Sequence, residues 1–226
     1  MVSTAHYFIR QVSKPNHTHM EKIDLAKVYK SYYTAKPQPE RVTFGTAQYL
    51  SIQGKGDPSG ADFSTHIQAL YGTAYTLKFQ SKQRGMDFVV PKLEGLWWYD
   101  EAAFQNLSML ESVTKVPRHV WEYRLLLRMP DVVTEADLQE AILIMVNKKG
   151  NPMAKQVKWF TLTEGDCVQM LHVGPFSTEP ETLVLMNDFM EAHGLHKNGL
   201  HHEIYLSDFN KTAPEKLKTI LREPIA

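Results

Sequence analysis

Thr43-Phe44-Gly45-Thr46-Ala47-Gln48-Tyr49-Leu50-Ser51-Ile52-Gln53, followed at once by Gly54-Lys55-Gly56-Asp57-Pro58, reads as a strand running into a tight turn. Alternation places Gln48, Leu50 and Ile52 on one face and Ala47, Tyr49 and Ser51 on the other. The turn residues end the strand because glycine supplies unusual φ values and proline fixes its own. Beyond the turn the apolar period lengthens. Phe63, Ile67, Leu70, Tyr71 and Ala74 fall down one side of a helix.

Outward from this unit toward the N-terminus, Asp24 to Tyr33 carries Leu25, Val28, Tyr29 and Tyr32 at helical spacing. Residues 1–19 differ from the rest: the run from Ser13 to His19 is polar, has no apolar period and leads to a second methionine, Met20. A loosely ordered extension is expected there, with His17 and His19 solvated rather than metal-bound. Toward the C-terminus, strands are expected at Met86–Val90, through Trp97-Trp98-Tyr99 and from His119 to Met129.

The second half repeats the order loosely. Thr134 to Asn147 reads as a helix with Leu138, Ala141, Ile142 and Met145 as its buried stripe. Val157–Leu162 and Asp166–Val173 read as two strands, the latter closed by Gly174-Pro175. Thr178-Glu179-Pro180-Glu181 has capping-box spacing with proline in the first turn. It opens a helix bearing Leu183, Met186, Phe189 and Met190, ended by Gly194. Strands follow at Gly199–Ser207 and Leu217–Leu221. Runs of strands with interposed helices predict an α+β class rather than a parallel βαβ series. The expected organisation is one domain over 20–226, in halves of about 20–130 and 131–226.

Composition sets bounds on function. The 226 residues are 43% hydrophobic, and 25 basic side chains balance 25 acidic ones. A zero formal charge gives no general attraction to nucleic acid or to an anionic membrane. Cys167 is the only cysteine, which rules out an internal disulfide and suits a reducing compartment. No apolar run reaches the roughly 18 residues of a membrane span, and Tyr7-Phe8-Ile9 is interrupted too soon for a signal peptide. A cytoplasmic protein without direct nucleic-acid binding is expected.

Three segments could carry chemistry. In Glu94-Gly95-Leu96-Trp97-Trp98-Tyr99, three consecutive rings on a strand must point to alternate faces. Each ring alone fits a core; with Tyr49, Tyr71, Tyr75, Trp121 and Tyr123 they could line a ligand pocket. In His201-His202-Glu203-Ile204-Tyr205-Leu206-Ser207, alternation sets His202, Ile204 and Leu206 opposite His201, Glu203, Tyr205 and Ser207. The second of these faces is either solvated or the wall of a site. His172 and Cys167 are five residues apart on one strand and face opposite ways, which disfavours a Cys–His nucleophile. His172 reads as a hydrogen-bonded strand-end residue.

His193, His196, His201 and His202 match no metal-site spacing, so neither metal nor cofactor is expected. No phosphate loop, dinucleotide fingerprint, nucleophile elbow or HExxH occurs. Gly54-Lys55-Gly56 before a helix could attract an anion, but a tight turn accounts for it.

Taken in order, Gly54 to Pro58, Ala69-Leu70-Tyr71-Gly72, Ala74-Tyr75-Thr76, Val90-Pro91, Leu93 to Trp98, His201 to Asp208 and Thr212 to Thr219 resemble the GyrI-like small-molecule-binding family. The resemblance runs from about Met20 to the C-terminus and is similar to the stand-alone branch without a DNA-binding helix-turn-helix. It implies two pseudo-symmetric βαββ-type halves, with antiparallel sheets forming a concave ligand groove and helices on the outer face. Relatives hold hydrophobic, often cationic aromatic compounds there; some are effector-binding domains of multidrug-sensing regulators. Others resemble hydrolases that open cyclopropane rings of DNA-alkylating natural products, a detoxification.

The family's buried acid matches Glu203, and its aromatic walls match Tyr71, Trp97 and Trp98. Two departures stand out: Phe176 where tyrosine is common, and Phe209 where proline commonly follows Ser-Asp.

The first expectation is therefore a binder of aromatic, hydrophobic and cationic small molecules, using Glu203, Tyr71, Trp97, Trp98, Tyr205, Tyr49 and His172. Burial among rings would favour the protonated form of Glu203 unless Tyr205, His201 or a ligand cation compensates. The alternative is a hydrolase with Glu203 as general base and Tyr71 orienting water or stabilising developing charge, while Trp97 and Trp98 sandwich the ligand. A third reading is a protein-interaction module with an unknown partner, marked by a contiguous apolar patch rather than a deep pocket.

Overall fold

A computed structural model describes residues 22–104, 107 and 109–226, with residues 109, 110 and 113 described by backbone alone. The expected extension over 1–19 lies outside the described residues. The described residues form six strands: β1 Glu40–Lys55, β2 Glu94–Trp98, β3 Glu122–Arg128, β4 Lys158–Val173, β5 His201–Tyr205 and β6 Lys218–Pro224. Helices are α1 Leu25–Val28, α2 Ala61–Gln83, α3 Met109–Lys115, α4 Glu135–Asn147 and α5 Glu179–Ala192.

The strands pair antiparallel and close into a barrel in the order β1-β3-β2-β5-β6-β4. Closure depends on β1, which is long enough to serve two partners, with Tyr49 opposite Arg128 of β3 on one side and Phe160 of β4 on the other. Each named strand thereby has a neighbour on both edges.

Because side chains alternate, the barrel sorts its residues into two sets. Outward-facing Leu50, Ile52, Leu125 and Leu127 pack under Phe63, Leu70 and Leu77 of α2 and Leu138 of α4. Val168, Met170 and Leu221 do the same under Leu183, Met186 and Met190 of α5. The inward set is partly charged. His202 bonds Glu164 through Nδ1 and lies 3.1 Å from Glu94 through Nε2. Arg222 donates to Glu164 (2.7 Å) and Gln169 (3.1 Å), and Tyr32 donates to Glu94 (2.6 Å) while meeting the Tyr49 hydroxyl (2.9 Å). Each of these interior charges is paired, as buried charges require.

Four expectations need correction. Met86–Val90 is not a strand: Phe88 makes one isolated bridge to Ile23, since the barrel order leaves no edge for a seventh strand. Val157–Leu162 and Asp166–Val173 are one continuous strand, because Gly165 takes φ 71° and carries the chain through. The helix expected over Asp24–Tyr33 is a single turn, Leu25–Val28, continued by turns. The Thr178 capping box does not form; its hydroxyl donates instead to the Pro175 carbonyl at 2.9 Å.

Candidate functional site

β2 and β5 lie side by side, with Gly95 opposite Glu203 and Trp97 opposite His201. All four, with Tyr205, use the outward face, on which the helices also pack. Gly95 has no side chain, and the Trp97 indole occupies the space above it; a Cβ there would lie 2.9 Å from Trp97 Nε1 and 3.1 Å from the Tyr205 hydroxyl. From that position Trp97 donates to Tyr205 (3.1 Å), and Tyr205 in turn bonds Glu203. Burial, followed by the Glu203 charge, holds the Tyr205 phenol well above its ordinary range.

His201 sits between two carboxylates. Its Nε2 is 3.3 Å from Glu203, and its Nδ1 bonds Glu223 of β6. Burial alone would lower its pKa, but Glu223 and Glu203 raise it to about 10, so the imidazole is a cation at neutral pH. Glu223, although buried, is held below its ordinary value by His201 and by Lys197 at 3.5 Å. A third acid, Glu179, opens α5. It is 8% exposed, its Oε1 has no hydrogen-bond partner, and burial followed by the Glu203 charge raises its pKa well above normal. Both influences favour its protonated form, against the nearby His201 cation, which opposes them.

These acids border a cavity of about 500 Å³ whose walls include Phe63, Trp97, Trp121, Phe176, Leu183 and Tyr205. Phe63 stacks on Trp97 with centroids 5.9 Å apart, and Phe176 meets Tyr205 edge-on at 5.9 Å. The arrangement can hold a flat apolar molecule against rings while offering it charged, proton-accepting and proton-donating groups at one end. Among the described residues no cluster of His, Cys, Asp or Glu has metal-holding geometry.

Of the residues singled out from sequence, Glu203, Trp97 and Tyr205 meet here. Trp98 borders the cavity, yet packs with Tyr49, Leu96 and Leu126 on the inward face, so the two tryptophans do not face each other. Tyr49 is inside the barrel. Tyr71 lies on α2 apart from the cavity lining; burial pushes its phenol up to about 12 and its oxygen is bonded to the Leu93 backbone. His172 is buried against α5, bonded to the Thr182 hydroxyl at 2.8 Å and the Pro175 carbonyl at 3.2 Å, also outside the lining.

The acids Glu179 and Glu223 escaped the sequence reading, although both had a signal. The α5 stripe of Met190, Met186 and Leu183, continued one turn back, lands on Glu179. Alternation along β6 likewise puts Glu223 on the same face as Leu221.

A family model for the GyrI-like small molecule binding domain matches residues 37–226. The solved structures similar to this chain include an uncharacterized conserved protein from Listeria innocua, 41% identical with a TM-score of 0.81. They also include a hydrolase from the same organism, 42% identical with a TM-score of 0.78. A further hydrolase structure from Listeria innocua is 41% identical with a TM-score of 0.79. Each match covers 91% of this chain and 100% of the other. No curated protein matches it.

Proposed function

The chain belongs to the GyrI-like small molecule binding domain family, and from that membership we propose that it captures hydrophobic aromatic compounds, cations among them, in the cavity beside Glu203. The observation that carries this reading is a carboxylate at the end of a ring-lined cavity: Glu203, its side chain 13% exposed, next to Trp97 and Tyr205. A cation over such rings gains about 0.5–2 kcal/mol, with the larger value when water is excluded. Charge complementarity from Glu203 adds to this. The order β1-β3-β2 followed by β5-β6-β4 supports reading the chain as two βαββ halves, with the cavity at their β2–β5 seam.

The test is quenching of tryptophan fluorescence by an aromatic cation dye, for which Trp97 and Trp121 stand in the cavity wall. Glu203→Gln is expected to weaken the dye about tenfold, the change that roughly 1.4 kcal/mol produces. Unchanged affinity in that variant would remove Glu203 from the binding site and sink this reading.

A second reading is favoured by a specific pairing: the Glu203 carboxyl shares the cavity with a second buried carboxyl, that of Glu179, and the chain is 41–42% identical to two solved Listeria structures described as hydrolases. In this reading Glu203 is the general base that takes a proton from water attacking a cyclopropane carbon of a DNA-alkylating type of natural product. Ring strain lowers the barrier, so little further machinery is required. Glu203→Gln then abolishes turnover while a neutral substrate still binds. A variant that hydrolyses as fast as the parent refutes it.

A further inference from the structure

A buried polar atom without a partner lowers stability, so its place in the fold calls for a partner that the chain does not itself supply. Around the cavity most buried polar groups are answered. Glu203 accepts from Tyr205 and lies 3.3 Å from His201 Nε2. The Tyr205 oxygen accepts from Trp97 at 3.1 Å. Glu223 bonds His201 Nδ1 through one oxygen, and the Lys197 ammonium stands 3.5 Å from the other. Glu179 borders the same cavity and is 8% exposed, yet its Oε1 has neither a hydrogen-bond donor nor a cation beside it among the described residues.

The start of a helix does not account for this. A carboxylate in the first turn is favoured by the helix dipole. Glu181, in the same turn of α5, has that benefit while remaining exposed. Glu179 is instead turned inward, into a lining that also holds Phe176, Leu183 and Leu200, whose side chains have no donor to offer.

Resting on the binding reading above, we propose that Glu179 is the acceptor for an N–H group of the ligand, so that the cavity selects aromatic cations bearing primary or secondary amino groups over those whose nitrogens are fully alkylated. A carboxyl offers an acceptor oxygen whether or not it carries a proton, so this recognition does not hang on its ionisation. Glu203 is near enough for its charge to be felt at Glu179, and one flat molecule can meet both. The rings hold its aromatic body, Glu203 attracts its positive charge, and Glu179 takes its N–H. A dialkylated nitrogen brings a methyl group to the same oxygen and leaves it desolvated and unpaired. A site built to pair with a donor rejects the analogue lacking it for that reason.

The test uses the full chain and two permanent cations of one ring system, 3,6-diamino-10-methylacridinium and its 3,6-bis(dimethylamino) analogue, each followed by quenching of tryptophan fluorescence. The ratio of the two affinities is compared between parent and variants, which cancels the difference in dye hydrophobicity. Glu179→Met, similar in size but without the acceptor, is expected to shift that ratio about tenfold against the diamino dye. Glu179→Gln, which keeps a carbonyl oxygen, should shift it less. Without ligand, the Met variant should melt about 2–4 °C above the parent, because an apolar chain replaces a desolvated carboxyl. A role confined to the start of α5 gives the reverse: a lower Tm and an unchanged ratio, and either result overturns the assignment. Glu203→Gln should weaken both dyes in parallel. If it does while the Met ratio equals the parent's, the Glu179 assignment alone fails; a parent that binds neither dye overturns the binding reading, and the assignment with it.

Discussion

At the residue scale the site depends on a side chain that is absent. Gly95 faces Glu203 across the β2–β5 seam, and the Trp97 indole and Tyr205 phenol approach its Cα closely enough that a methyl group would meet both. Gly95→Ala therefore pushes apart the hydrogen bond that holds Trp97 against Tyr205. Overpacking of this kind costs about 1–3 kcal/mol. We expect a lower Tm together with at least tenfold weaker dye binding, because the ring that moves forms a cavity wall. Full binding by a correctly folded Gly95→Ala variant would show that the Trp97 position is irrelevant to the ligand. Gly95 was visible in the sequence, but its meaning was not: period-two alternation names the face a glycine belongs to without naming what fills the space above it. Glu203, Trp97 and Tyr205 were legible because their own side chains carry the chemistry. Tyr71 and His172 were also expected at the site, and neither borders the cavity.

At the scale of elements, strands and helices followed the apolar periods, and the errors fall where tertiary pairing overrides local signals. Met86–Val90 is β-rich in composition but finds no open edge, because the six strands close on themselves. Gly165 reads as a strand break, yet β4 continues through it with φ 71°. That conformation is strained for any residue with a Cβ, and the surroundings here are open, with nothing within 4 Å of the place a methyl group would take. Gly165→Ala thus isolates backbone strain from packing. The expected cost is about 1–2 kcal/mol, read as a shifted denaturation midpoint at constant m-value. A neutral substitution would mean that β4 can bend without the positive φ. At Thr134 the cap does form: its hydroxyl accepts from the Asp137 N–H at 3.3 Å and the Asp137 carboxylate accepts from the Thr134 N–H at 2.8 Å. Thr134→Ala should cost about 0.5–2 kcal/mol, whereas Thr178→Ala, which loses no helix cap, should not show that penalty.

At the scale of the whole molecule, the barrel interior ties the strands together by charge and makes stability depend on pH. The alternation of β5 put His202 on the face opposite Glu203, but sequence could not show that this face meets Glu94, Glu164 and Arg222, since those partners come from three other strands. Burial would lower the His202 pKa; Glu164 and Glu94 instead raise it to about 9, from an ordinary 6.5. A raised folded-state value means that the stabilisation is complete below about pH 6.5 and is lost as pH rises through about 9. Glu164 has the opposite sign. Burial would raise it, but His202 and Arg222 hold it at about 2, so its contribution is complete above about pH 4.5 and is lost as pH falls through 2. The two windows overlap between about pH 4.5 and 6.5, where Tm should be highest. His201, at about 10, extends the alkaline decline from the other side of the sheet. Removing one member of a buried ionic network typically costs about 3–5 kcal/mol, so His202→Gln should lower Tm strongly near the middle of that window. The gap to the parent should narrow toward about pH 10, because the parent's own His202 has by then lost its charge. A gap that stays constant from the acid side to the alkaline side would mean that His202 contributes by shape alone, and that the charge inside the barrel does not hold it closed.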